Sequence, residues 1–257
     1  MTDPFVDIAR YYNPIMDHVN YDRWVTAASA IATMLPPGFR HLDAACGTGT
    51  LLRLLRRGGW DSIGMDLSYS MLNEGNRTGR PLPVAAADLR ALPLHESVDF
   101  ITSLFDSMNF LLDMNDFCMA LRSLHAALRP GGLLYFDVVT ERMIFDHYDG
   151  QTWTEDNGQF NSTWKNHYDR YTRVITTDIR VNTGDSCRLL ERIYPIADIE
   201  EALSDSGFYL LGAHDAHTWK SPNRKTVRVD LVASKGNEKM YRKAFKKVRA
   251  EIKKSLR

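Results

Sequence analysis

Apolar positions in this chain fall into short runs separated by helix-spaced patterns. Runs at 42–45, 62–65, 83–87, 98–104 and 133–139 each have the length of a strand. Between them Leu51, Leu52, Leu54 and Leu55, then Met71 and Leu72, then Phe117, Leu121, Leu124 and Leu128 repeat at helical spacing over 50–57, from Ser68 as N-cap, and over 115–128. Gly58-Gly59 closes the first of these helices, and Arg129-Pro-Gly-Gly132 reads as a turn before the fifth strand. Strands alternating with helices predict an α/β domain with a parallel, doubly wound sheet, and the unbroken apolar run at 98–104 suits a strand covered on both faces. Crossovers should be right-handed, and a ligand should bind outside the carboxyl ends of the strands. Asp43, Asp66, Asp88 and Asp106 all lie at or just past such ends, so four acids face one edge of the sheet.

The flanks have other periods. Residues 5–35 read as helical: Phe5, Ile8 and Tyr12 share a face and, after Pro14, so do Trp24, Ala28, Ile31 and Leu35, until Pro36-Pro-Gly38 stops the pattern. From 151 to 195 the period drops to two. The stretches 160–167, 173–181 and 188–194 predict an antiparallel insertion of about three strands, with Asn182-Thr-Gly-Asp185 as a hairpin turn. Trp164, Tyr168 and Ile179 are candidates for its inner face, which could roof a site or form an oligomer surface. A helix around Ile199 and Leu203 ends at Gly207, and strands at 208–213 and 226–233 complete the core. The expected division is a helical lid (1–38), a core (39–150 and 195–235), the insertion (151–194) and a tail (236–257).

Composition sharpens this in one place. The 257 residues are 44% hydrophobic and 25% charged with no net charge, yet residues 235–257 hold ten Lys/Arg against two Glu. The body is therefore mildly acidic. In the tail Tyr241, Phe245, Val248, Ile252 and Leu256 recur at helical intervals, which predicts a basic amphipathic helix. It could dock on the acidic body, self-associate, or meet an anionic partner such as RNA or a membrane surface. No apolar run is long enough to span a bilayer, and Cys46, Cys118 and Cys187 have no metal or disulfide spacing. No metal site is expected, and without a signal-peptide pattern the expected location is cytoplasmic.

The chemistry concentrates in His41-Leu-Asp-Ala-Ala-Cys-Gly-Thr-Gly-Thr50, a strand, a small-residue loop and a helix start. Such a loop brings backbone close to a ligand, and the helix behind it leaves N–H groups free. A dinucleotide fingerprint would need a third glycine where Leu52 stands. The stretch instead resembles motif I of the class I S-adenosylmethionine-dependent methyltransferases, with Ala45 in place of the usual first glycine. Three further segments are similar to a group of small bacterial methyltransferases: Asp106-Ser-Met-Asn109, Phe136-Asp-Val138 and Arg192-Ile-Tyr194. Tyr12-Asn13 partly matches a Tyr-Asp pair in the lid of such enzymes.

The resemblance implies a Rossmann-like sheet of seven strands in the order 3-2-1-4-5-7-6, the last antiparallel, and S-adenosyl-L-methionine as cofactor. Ala45, Gly47, Gly49 and the Leu104 carbonyl would then hold the methionine tail. Asp66 would take the ribose hydroxyls, unless it only caps the next helix. Leu67 and Met71 would cover adenine, Asp88 would accept from its amino group, and the Leu89 backbone would touch the ring. Tyr12 and Tyr21 could reach the methionine end or simply pack the lid. Asp106 and Asn109 could bind the acceptor or hold the loop. Because the cofactor brings its own leaving group, no catalytic triad is required, and no general base is assigned. The implied function is methyl transfer to nitrogen or oxygen of a small molecule. An RNA methyltransferase gripping through the tail and a non-catalytic cofactor-binding protein are the alternatives.

Overall fold

The computed structural model describes residues 3–236 and 238–256; Met1 and Thr2 of the expected lid, and Asn237 and Arg257 of the expected tail, lie outside the described residues. In chain order the elements are α1 (Ala9–Ile15), α2 (Tyr21–Ala32), β1 (Arg40–Ala44), α3 (Thr50–Arg57), β2 (Asp61–Asp66), α4 (Tyr69–Arg77), β3 (Val84–Ala86), β4 (Val98–Ser103), α5 (Met114–Ala127), β5 (Leu128–Val139), α6 (Glu141–His147), β6 (Thr152–Asp156), β7 (Asn161–Asp169), β8 (Val174–Val181), β9 (Ser186–Arg192), α7 (Ile196–Asp205), β10 (Tyr209–Asp215), β11 (Arg228–Ser234) and α8 (Glu238–Ser255).

Local chemistry sets several of these bounds. Gly49 at φ +77° starts α3 and Gly58 ends it. The Ser68 hydroxyl accepts from the Met71 N–H at 3.1 Å to open α4, and the Asp113 carboxylate accepts from the Asp116 N–H at 2.8 Å to open α5. Pro14 lies in the last turn of α1 rather than breaking the lid before it.

The main sheet has the order β3-β2-β1-β4-β5-β11-β10. Strands β1 to β5 pair in parallel, and β11 runs antiparallel to both neighbours. Its last two labels differ from the expected 3-2-1-4-5-7-6 because four insertion strands separate β5 from β10. Strand β5 starts at Leu128, through the segment expected as a turn; its pairing with β4 shifts register between Val98 and Phe100, which accommodates Pro130 and the two glycines. Side chains alternate across the sheet with period two. Leu134 and Phe136 pack under α5 and α7, while Leu133 and Tyr135 face α2, α3 and α8.

The insertion is a four-stranded antiparallel sheet in the order β6-β7-β8-β9. The sequence reading missed β6, a short edge strand with little apolar alternation that pairs Trp153 with Trp164 of β7. Trp164 and Ile179 pack against Ile8, Tyr11 and Ile15 of the lid, so lid and insertion share a small core. Tyr168 packs elsewhere, with Ile144 and Ile175, and donates to Glu141 at 2.8 Å. In the tail, Tyr241, Phe245, Val248 and Ile252 of α8 are buried against α2 and β10, while Lys243, Lys246, Lys247 and Lys254 stay exposed. Among the described residues no helix is long and apolar enough to cross a membrane.

Candidate functional site

Outside the carboxyl ends of β1, β2 and β4 lies a cavity of about 930 Å³, covered by the lid and the insertion. That volume is at the upper end of the range for ligand pockets. Its floor is the loop after β1. Ala45 sits at φ +61° and Gly47 at φ +56°, so the backbone turns through two left-handed positions. Both line the cavity; Gly49 does not. Gly49, at φ +77°, turns the chain into α3, and a Cβ on it would stand 2.5 Å from Leu82 Cδ1, so it supports the loop from behind the cavity wall.

One acid anchors the loop and a second joins the strands beneath it. The Asp66 carboxylate accepts from the Gly47 N–H and the Ser68 N–H, each at 2.7 Å, which ties the glycine loop to the turn after β2. Burial pushes this carboxyl up from its ordinary value against the pull of those two bonds. Asp43 is buried and accepts from Thr102 Oγ1 at 2.7 Å; burial pushes it up to about 7. Behind it the His41 ring lies 3.0 Å from both Thr102 Oγ1 and Ser62 Oγ. Burial pushes this imidazole down to about 3, so it is neutral. Since the Thr102 proton goes to Asp43, His41 donates from Nε2 and accepts at Nδ1.

The other expected residues divide. Leu67, Met71, Asp88 and Leu89 line the cavity beside Asp66, and Leu67 is 54% exposed there, an apolar surface left for a ligand to cover. Asp88 is also held by Arg90, whose guanidinium reaches Asp88 at 2.6 Å and Asp116 at 2.7 Å; this cation holds the Asp88 carboxyl below its ordinary value. Tyr12 and Tyr21 both line the cavity. Burial raises the Tyr12 phenol well above its usual range and the Tyr21 phenol to about 12. Next to Tyr12, Asn13 accepts from Thr48 Oγ1 at 2.6 Å, so the lid is fastened to the glycine loop by the residue that departs from the Tyr-Asp pattern. Leu104 lines the same space, and its carbonyl accepts from Ser107 Oγ at 2.9 Å.

Asp106 lines the cavity in a left-handed conformation, φ +53°, right after Phe105 at φ +65°. Arg228, almost fully buried, bridges Asp106 at 2.7 Å and Asp137 at 2.5 Å, and so braces this strained bend. Of the two roles open to Asn109, its contacts are those of a loop brace. It is fully buried and is absent from the cavity wall; its side chain accepts from the Val139 N–H at 3.1 Å and donates to the Arg192 carbonyl at 2.8 Å. It joins the bend to the ends of β5 and β9.

Several wall residues carry no local sequence signal. Behind the wall, Gly75 of α4 lies where a Cβ would meet the Thr48 carbonyl oxygen at 2.1 Å. Trp153, Glu155 and Glu191 come from the insertion and reach the cavity because that sheet folds over it, beside Trp164, which was a candidate for its inner face.

The donor set fits S-adenosylmethionine: a carboxylate at the end of β2, apolar cover beside it, exposed loop backbone, and an acidic wall that suits a sulfonium cation. Residues 42–132 match the family described as a methyltransferase domain. Over 238 residues the chain is 26% identical to YqeM of Bacillus subtilis (strain 168), a protein provisionally named a methyltransferase, covering 88% of this chain and 95% of that one. In fold it is similar to an S-adenosylmethionine-dependent methyltransferase from Clostridium acetobutylicum ATCC 824, with TM-score 0.78 at 22% identity, covering 88% of this chain and 96% of that one. It is also similar to S-adenosylmethionine-bound CalS10, an amino pentose methyltransferase from Micromonospora echinaspora, with TM-score 0.67 at 20% identity, covering 88% and 94%.

Proposed function

We propose that this chain is a class I S-adenosylmethionine-dependent methyltransferase that moves the methyl group to a nitrogen or oxygen of a small-molecule acceptor by in-line displacement; the methyltransferase-domain match, the similarity to YqeM and the shared fold support this. The cofactor supplies an activated methyl group and its leaving group. The chain's residues place it and exclude water.

In this reading Asp66 keeps lone pairs for the ribose diol beyond the two backbone bonds it accepts. Leu67 and Met71 cover one adenine face, while Leu89 and Asp88 meet its edge. Backbone at Ala45 and Gly47 and the second lone pair of the Leu104 carbonyl take the methionine tail. Tyr12 and Tyr21 close over it from the lid, and Asp106 shapes the acceptor side.

The observation that carries a small acceptor is the roof. The wall opposite the glycine loop is built from the chain's own insertion, with Trp153, Trp164, Ile175 and Leu189 facing inward, which encloses a molecule of limited size. The amino pentose acceptor named for CalS10 is of that size class. Incubating the full chain with methyl-labelled S-adenosylmethionine and a metabolite extract containing RNA tests this. Label should enter the small-molecule fraction. Label in RNA alone would support the tail-gripping alternative, and no transfer at all would support a cofactor-binding protein.

A further inference from the structure

The cavity wall is unevenly charged. Among the described residues nine carboxylates and three arginines line it, with no lysine. Each arginine is already paired: Arg90 with Asp88 and Asp116, Arg188 with Asp178 at 2.7 Å, and Arg228 with Asp106 and Asp137. Glu191 is not. It stands on β9 of the insertion, partly buried at the cavity wall, and its carboxylate has no hydrogen-bond or ion-pair partner among the described residues. Its neighbours in the field of the site are Asp106 and Arg228, the latter already shared between two acids.

On the same sheet Trp153 and Trp164 present stacked rings, 5.6 Å between centroids and 8° apart, with the Tyr148 ring 5.8 Å from that of Trp153. All three line the cavity. Aromatic rings that share a cavity with an unpaired carboxylate favour a cation there. They offer nothing to an acceptor carboxylate and little to a hydroxyl.

Resting on the methyltransferase reading above, we propose that the acceptor is an amine and that Glu191 is the catalytic residue that receives its ammonium group and takes one proton from it. An ammonium has no lone pair to attack with, so one proton must leave before methyl transfer. That proton passes to the Glu191 carboxylate. The nitrogen lone pair so freed forms the new N–CH3 bond while the methyl–sulfur bond breaks and its electron pair stays on sulfur. The methylated nitrogen keeps the positive charge that the sulfonium loses. Burial and the neighbouring Asp106 push the Glu191 carboxyl well above its ordinary value, the direction a proton acceptor for an amine requires.

The test uses the full chain with S-adenosylmethionine and three probes that share an indole body: tryptamine, tryptophol and indole-3-propionic acid. Tryptamine should be methylated, with a rate that climbs with pH, and the alcohol and acid should not. Glu191→Gln should lower kcat on tryptamine by about 100-fold or more. It should also weaken tryptamine binding to the S-adenosylhomocysteine complex at least tenfold, while leaving the affinity for S-adenosylhomocysteine within about threefold; Glu191→Asp should restore part of the rate. Transfer to the alcohol or acid instead, no transfer to the amine, or a Glu191→Gln chain with unchanged kcat and tryptamine affinity would overturn the assignment. A wild-type chain that fails to bind S-adenosylhomocysteine would overturn the underlying reading, which calorimetry reveals separately.

Discussion

Gly75 of α4 packs so tightly under Thr48 that a Cβ on it would stand 2.1 Å from the Thr48 carbonyl oxygen. A backbone oxygen cannot swing aside as a side chain can. Helix α4 therefore approaches the glycine loop at a distance that only glycine allows, and the loop's shape depends on a residue 27 positions downstream.

Gly75→Ala should consequently be harmful although alanine is the better helix former. The gain in helix propensity is about 0.5–1 kcal/mol, against an overpacking cost of about 1–3 kcal/mol. We expect a lower Tm and at least a tenfold loss of S-adenosylhomocysteine affinity by calorimetry. An unchanged Tm and affinity would show that the loop does not need this contact.

Ala45 gives the opposite case. It holds φ +61° where a glycine would be at ease. Left-handed backbone costs a non-glycine residue about 1–2 kcal/mol, and glycine costs about 0.4–1 kcal/mol through the unfolded chain. Ala45→Gly should therefore leave stability unchanged or raise it by up to about 1 kcal/mol, with cofactor affinity retained. Thermal unfolding checks this; a marked drop in Tm would mean that the Ala45 methyl packs in a way the strain argument omits.

Arg228 is the countercharge for two acids at once, Asp106 and Asp137. Arg228→Met would strand both carboxylates in a buried setting, a change worth about 3–5 kcal/mol. Urea denaturation should show a loss of that size, and Arg228→Lys a smaller one. A loss under about 1 kcal/mol would place these acids in water rather than in the interior.

Buried acids also set a pH dependence. Tyr135 Oη and Trp219 Nε1 both donate to Asp230 Oδ2 at 3.0 Å, and burial pushes this carboxyl up to about 7. Its folded value lies above the value of about 3.9 for a free Asp. The folded chain thus keeps a proton that the unfolded chain has released. The contribution to stability is full below about pH 4 and is lost as the pH rises to about 7. Buried His41 and His214, pushed down to about 3 and about 4, act in the reverse sense: their contribution is present above about pH 6.5 and lost as the pH falls toward 4. These slopes oppose each other in the wild type, so a variant separates them. Asp230→Asn should gain stability over wild type progressively between about pH 4 and 7, by no more than about 1.4 kcal/mol per pH unit, and level off above. A gain independent of pH would mean that Asp230 is ionised throughout.

Much of this was legible in the sequence because it rests on local rules. The limits of α3 follow from leucine spacing between glycines, Ser68 caps α4 as its position suggests, and Asp66 sits where a strand run ends. The parts that were not legible depend on contacts distant in the chain. Spacing alone leaves Asn109 open between acceptor and loop, and only its amide joining Val139 and Arg192 decides for the loop; the Arg90 pairing with Asp88 likewise shows only in three dimensions. Residues 129–132 have turn chemistry, yet β4 on one side and the chain after β11 on the other draw them into β5. Glu191 and Trp153 acquire meaning only when a sheet more than a hundred residues after the glycine loop closes over it.

The central claim is a cofactor site formed by the loop after β1 and the carboxylate at the end of β2. Titration calorimetry of S-adenosylhomocysteine into the full chain tests it most directly, with Asp66→Ala alongside. The expected result is saturable binding of one molecule per chain, weakened at least a hundredfold when Asp66 is removed. No saturable heat from the wild-type chain, or equal affinity in both chains, would contradict it.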